Sequence, residues 1–277
     1  MKKLFVAFLC LVMLLSVVAC DKKGKTTTTT SATTPITTTT STTTTTAPSK
    51  TAAELVQEAY AKLTPAKGVD FSMVVTGTED GLTETIATKD MKFVLKEDGT
   101  LDFDMNDVDG TEITTGCLVD GIVYLIMEGQ KVKMTATPEM LESLDMGDIA
   151  GGDTGEVDQT ILDALEGITP ALVDGKYTLT YTLTGNAVIS ALNGHLYFSD
   201  WMGEIEGIHF TDYQGTIVID ADGNVVSETI SFSVYHEDYP EDVMSYGSVM
   251  TYNNPGQQVV VTPPADADAY FDLDAFQ

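Results

Sequence analysis

The chain has 277 residues, with 42 Asp or Glu against 14 Lys and no Arg, for a formal net charge of −28. A folded surface of that sign repels nucleic acid and anionic head groups, so neither is an expected partner. The length suits one or two domains once the two ends are accounted for.

Residues 1–19 have the order of an export signal. Lys2 and Lys3 precede an apolar run over residues 4–18. That run is shorter than the about 20 residues a spanning helix needs. Leu15-Ser16-Val17-Val18-Ala19-Cys20 then resembles a bacterial lipobox. The resemblance implies cleavage before Cys20 and a lipid thioether on its sulfur, with palmitate-type chains. Such a protein is held on the cell membrane, facing outside the cytoplasm. Two or more acyl chains give a stable anchor, at about 0.8 kcal/mol per buried methylene. The alternative is an uncleaved N-terminal anchor.

Residues 20–50 read as a tether. Thr fills positions 26–46 except for Ser31, Ala32, Pro35, Ile36 and Ser41. Such a run lacks the apolar area to offset ordering entropy. Ser/Thr with Pro is a stalk composition, open to O-glycosylation where the host has the enzymes. Fully extended at about 3.5 Å per residue, residues 24–49 span on the order of 90 Å. That distance exceeds the Debye length of about 8 Å over which an acidic domain and an acidic membrane repel each other. Lys22, Lys23 and Lys25 lie beside the anchor, where they can meet anionic head groups.

Residues 51–277 are expected to form a single domain. Leu55, Val56, Ala59, Tyr60 and Leu63 have helical spacing, with Ser49 or Thr51 as cap and Pro65 beyond the end. The period then changes to two. Val69, Phe71, Met73 and Val75 alternate with small or polar residues, as do Met91, Phe93 and Leu95, and Leu101, Phe103 and Met105. Asp120-Gly121 between apolar runs predicts a hairpin, and Glu128-Gly129 the next turn. Residues 138–146 and 157–168 predict two helices around a Gly/Asp-rich loop. Tyr177, Leu179, Tyr181 and Leu183 alternate with Thr and resume the strands. Residues 186–192 suit a further helix. Residues 208–219 and 225–235 flank a turn at 220–224, and residues 243–252 and 258–261 predict the last strands. The tail 266–276 offers Tyr270, Phe271 and Phe276 for packing. The expected class is therefore α+β: two antiparallel meanders forming one large curved sheet, with helices covering its concave face.

This order resembles the LolA/LolB-like superfamily of bacterial lipoproteins, which includes the mycobacterial-type lipid-binding lipoproteins. The likeness rests on the helix beginning at Glu54-Leu55-Val56, on Val119-Asp120-Gly121-Ile122-Val123-Tyr124, on the segment 215–224 ending Asp220-Ala221-Asp222-Gly223-Asn224, and on Tyr252-Asn253-Asn254-Pro255-Gly256. The resemblance implies a half-barrel with helices across its concave face and, in some members, a cavity for acyl chains. The scarcity of basic residues here departs from a site for an anionic head group.

An apolar small molecule or lipid is the expected ligand, held by Phe71, Met73, Met91, Phe93, Phe103, Tyr124, Tyr177, Tyr181 and Phe232. The same residues also suit a plain packed core. The alternative function is an acidic cell-surface protein that meets a partner or weakly held cations. Asp102, Asp104 and Asn106 occupy three positions of a calcium loop. Asp107 and Ile113 stand where that loop needs Gly and Glu, so exposed strand polar residues are expected instead. Loss of Cys10 with the leader and lipidation of Cys20 leave Cys117 alone, a buried thiol. His195, His209 and His236 lack metal-ligand spacing, and no nucleophile motif is present. No metal, no cofactor and no catalysis are expected.

Overall fold

A computed structural model describes residues 50–63, 67–98, 100–110, 112–127, 129–138, 140, 157–199 and 206–276. The leader, Cys20, the Thr-rich segment, most of the expected 138–146 helix and the loop after it lie outside these residues. Among the described residues no helix is long and apolar enough to cross a membrane.

The N-terminal helix α1 (Ala52–Tyr60) begins with a complete capping box. Thr51 Oγ1 accepts from Glu54 N, and the Glu54 carboxylate accepts from Thr51 N at 2.8 Å. Two donors that the first turn leaves open are thereby satisfied. Ala52, Val56 and Ala59 face the core.

Twelve strands follow: β1 (Val69–Glu79), β2 (Leu82–Leu95), β3 (Leu101–Asp109), β4 (Glu112–Val119), β5 (Ile122–Met127), β6 (Gln130–Thr135), β7 (Leu172–Val173), β8 (Lys176–Leu183), β9 (Ile208–Asp220), β10 (Val225–His236), β11 (Tyr239–Tyr252) and β12 (Phe271–Asp272). They form one open sheet in the order β12-β6-β5-β4-β3-β2-β1-β11-β10-β9-β8-β7. Two antiparallel meanders, β1 to β6 and β7 to β11, meet at the β1–β11 pair. The expected sheet was wholly antiparallel. The observed one is mixed, because β12 adds to β6 in parallel. A sheet this wide must curl to bury its apolar side. At the β4–β5 hairpin both Asp120 (φ 51°) and Gly121 (φ 78°) take the left-handed conformation that a tight two-residue turn requires.

Two short helices join α1 on the inner face: α2 (Gln159–Ala164) and α3 (Asn186–Asn193). The α2 helix is shorter than the expected 157–168. Asp158 caps it, accepting from Thr160 N at 2.7 Å, and Leu165 already forms the C-cap. One core collects Val56 of α1, Leu162 and Leu165 around α2, Val188 and Leu192 of α3, and alternate residues of the sheet. The arrangement, one large open sheet with helices on its inner face, is the α+β one expected from the sequence.

The outer face carries a second, smaller core that the sequence pattern did not suggest. Val94, Cys117, Val119 and Val261 bury one another there, with Tyr124 against them. Residues 258–261, expected as a strand, pair with no strand of the sheet. Val259 N donates to Lys67 O, and Cys117 Sγ lies 3.8 Å from Thr262 O. The chain then crosses the outer face to β6, where Tyr270 meets Tyr124 edge-on at 5.3 Å and Leu273 N donates to Lys133 O.

Candidate functional site

Directly opposite residues on paired strands project to the same side of a sheet, so the register assigns each side chain to a face. Phe71, Met73, Met91, Phe93, Phe103, Tyr181 and Phe232 all project to the inner face and are 1–5% exposed. Tyr177 lies at the edge of that core, partly buried. Tyr124 is a correction: it projects to the outer face, under the C-terminal segment. Its neighbour Val123 turns inward instead. In a strand that is apolar throughout, alternation gives no face, and here the C-terminal Tyr270 decides it.

The helices do not seal the inner face evenly. The helices α1, α2 and α3 pack on β8, β9 and β10, and Phe198 meets Phe232 of β10 and Tyr246 of β11. Toward β3–β6 the inward Met105, Leu125 and Met134 stay partly exposed, with Met140 beside them. Gly116 lies between Met105 and Leu125 in the register, and a Cβ there would come within 3.3 Å of Leu125 Cδ2. The strip is therefore apolar and rich in Met, with the Leu125 side chain lying over Gly116.

Charged groups also reach the inner face, where sequence reasoning did not place them. Lys89 stands opposite Met73 and Asp107, and its ammonium lies 3.1 Å from the Asp107 carboxylate. The signal was present in its parity, since Lys89 shares the phase of Met91 and Phe93. Burial pushes the Tyr197 hydroxyl up to about 12, helped by the charges of Asp109 and Asp107.

Glu228 is the second such group. It stands opposite Met250 and Ile217 and reaches the underside of α1. Tyr252 Oη donates to Glu228 Oε1 at 2.6 Å, and the Tyr60 hydroxyl also bonds to the carboxyl. Burial pushes the carboxyl up, while the two tyrosine bonds lower it, and the net direction is up. A raised folded value means that Glu228 contributes fully below its unfolded value near 4.5. That contribution is lost as pH rises through the folded value. The Glu228→Gln variant has no proton to lose. Urea melts across pH 4 to 9 should show the wild type losing stability relative to Glu228→Gln as pH rises. A constant difference would contradict this.

Other titratable groups are held inert. Burial, then Asp104 and Asp102, pushes the Cys117 thiol up to about 12, so it is not a thiolate at neutral pH. Burial pushes the His195 imidazole down to about 4, and its Nδ1 accepts from Tyr197 N and Phe198 N. Asp102, expected as an exposed strand residue, is 4% exposed; it pairs with Lys96 at 2.7 Å and accepts from Asp120 N. The strand reading of 102–106 holds, but its first carboxylate is structural. Among the described residues no group of three or more His, Cys, Asp or Glu could hold a metal ion.

Two surface concavities flank α1. One is a groove of about 300 Å³ lined by Lys50, Leu55, Glu58, Lys62, Tyr177 and Asp222. The other, of about 10 Å³ beside Lys67, Gly68 and Asn254, has room for one water at most. The groove is at the lower limit for a small-molecule site, and its charged lining does not suit an acyl chain.

No family model matches the chain, and no curated protein matches it in sequence. Solved structures do. The chain is similar to LprF from Mycobacterium bovis at 15% identity and TM-score 0.36, over 77% of this chain and 97% of that one. It is similar to a LolA superfamily protein from Nitrosomonas europaea at 10% identity and TM-score 0.25, over 78% and 96%. It is also similar to a DUF1329 family protein from Desulfovibrio piger at 13% identity and TM-score 0.23, over 81% and 97%. The second belongs to the superfamily that the sequence pattern resembles. These likenesses are remote.

Proposed function

We propose that the protein is a lipoprotein of the cell envelope, anchored through Cys20, whose inner face holds an uncharged acyl lipid without catalysis. The observation that carries the ligand is the uneven cover of the inner face. Met105, Leu125, Met134 and Met140 remain partly exposed beside Phe93, Phe103, Leu118 and Val123, which are 2–4% exposed. An apolar strip left open next to a continuous apolar floor is a place for an apolar guest. Methionine adapts its shape to such a guest. Phe71, Met73, Met91, Phe93, Phe103, Tyr181 and Phe232 form the floor, and the strip is the entry. Tyr177 stands at the margin, and Tyr124 is not part of the site.

An uncharged lipid fits better than an anionic one. Lys89 is already matched by Asp107, while Asp109 and Glu228 add acidic groups to the same face. The anchor rests on the lipobox at residues 15–20.

The Cys20→Ala variant tests both parts. Expected is its release from the membrane fraction into the soluble extract; a variant still membrane-bound, with unchanged mobility, would contradict the anchor. Native mass spectrometry of the released protein with a membrane lipid extract should show one-to-one adducts of uncharged acyl lipids. Absence of adducts across all lipid classes would contradict the ligand.

A further inference from the structure

The open methionine strip ends against an ion pair. On β3 the inward residues run Phe103, Met105, Asp107 and Asp109, and on β2 Phe93, Met91, Lys89 and Ala87 lie in register with them. Lys89 and Asp107 therefore form the row next to Met91 and Met105, one inward step of about 6.8 Å away. The Lys89 ammonium lies 3.1 Å from the Asp107 carboxylate, and the two side chains are 16% and 27% exposed. The pair thus stands between the apolar floor, where Met91 is buried, and the rim of the sheet, where Asp109 is exposed.

The register also places the groups around the pair. Asp107 stands opposite the exposed Thr114 on β4. Lys89 stands opposite the buried Met73 on β1, which brings no charge. The Tyr197 hydroxyl, from the segment after α3, bonds to Asp109 and feels the charge of Asp107. Glu228 shares the row but lies beyond Met73 and Met250. Among the described residues of this corner, one ammonium therefore faces two carboxylates.

An ammonium beside an apolar strip suits a fatty-acid carboxylate. Here Asp107 holds the place that such a carboxylate would take. An incoming anion must displace Asp107 or add a third negative charge beside Asp107 and Asp109, and both are unfavourable in a half-buried setting. Neutral hydroxyl and ester groups meet no such opposition. The ammonium has three donors and the carboxylate about four acceptor positions, so their mutual contact leaves both with capacity. Hydrogen bonds to ionised groups are the strong ones.

We infer that Lys89 and Asp107 form the head-group end of the lipid site, that they bind the hydroxyl and ester oxygens of a neutral glyceride, and that Asp107 acts as a built-in counterion that keeps fatty-acid anions off Lys89. The inference deepens the apolar-ligand reading above and rests on it. The acyl chain then lies on Met105 and Leu125 in the adjoining row, with the head group toward the rim.

The test uses the full chain carrying Cys20→Ala, with monoolein, oleate and hexadecane as probes. The protein is expected to bind monoolein about tenfold more tightly than oleate. Asp107→Asn keeps the shape and frees Lys89, and should tighten oleate binding about tenfold. A double variant, Lys89→Gln with Asp107→Asn, leaves neither charge unmatched. In it oleate should return to its original affinity, monoolein should bind about three- to tenfold more weakly, and hexadecane should bind as before. Oleate binding unchanged in a folded Asp107→Asn protein, or still tightened in the double variant, would overturn the counterion role. Monoolein and hexadecane responding alike to the double change would overturn the head-group role, and this comparison decides even where Asp107→Asn alone does not fold. Failure of the Cys20→Ala protein to bind monoolein or hexadecane would overturn the apolar site itself, and this inference with it.

Discussion

Phe198→Ala is expected to lower stability by about 3–5 kcal/mol. The side chain is 0% exposed and is the largest of the fully buried ones among the described residues. Its ring meets Phe232 edge-on at 4.9 Å, His195 at 4.8 Å and Tyr197 at 5.3 Å, with Tyr246 at 6.2 Å. Truncation removes transfer energy and aromatic contacts together, and it leaves a cavity bounded by β10 and β11, which cannot collapse without breaking their register. For a domain of this size, each kcal/mol shifts the melting temperature by about 2–4 °C, so a fall on the order of 10 °C is expected. Thermal unfolding followed by near-ultraviolet circular dichroism measures it. A shift of under 2 °C would mean that Phe198 does not key the helix layer to the sheet.

Gly215→Ala should be nearly as damaging, for a different reason. Gly215 faces Tyr181 across β8 and β9. A Cβ on Gly215 would lie 2.2 Å from Tyr181 Cζ and 2.4 Å from its hydroxyl oxygen. The ring cannot swing aside cheaply, because it is 5% exposed and bonded to the Tyr213 hydroxyl. Overpacking of this kind costs about 1–3 kcal/mol, occasionally more, and the depth of this overlap puts the expectation at about 3. A double-mutant cycle identifies the cause. In a Tyr181→Ala background, Gly215→Ala should cost under about 1 kcal/mol. The same cost in both backgrounds would assign the loss to the strand backbone and not to the ring.

The sequence made the strands legible wherever one face is buried and the other wet. Thr178, Thr180 and Thr182 against Leu179, Tyr181 and Leu183 fix β8 and its phase without help from the rest of the chain. Local chemistry likewise fixed the capping box of α1 and the Asp120-Gly121 hairpin. Elements made by long-range pairing were not legible. β7 and β12 have two residues each, and only their partners β8 and β6 make them strands. Residues 258–261 have strand composition, yet Val261 is buried in the outer-face core around Cys117 and not in a ladder. The apolar floor of the site could be read from alternation. Its polar members could not, because a charged side chain is expected in water, although the phase of Lys89 with Met91 and of Glu228 with Phe232 points inward.

Photo-crosslinking gives the most direct test of the site. A monoacylglycerol with a diazirine in its acyl chain, irradiated with the Cys20→Ala protein and followed by peptide mapping, reports where the chain lies. Adducts are predicted on β3, β5 and β6, at Met105, Leu125 and Met134 above all, and competed by unlabelled monoolein. Adducts confined to outer-face residues such as Thr180, Thr229 and Val249, or insensitive to competitor, would contradict a lipid on the inner face.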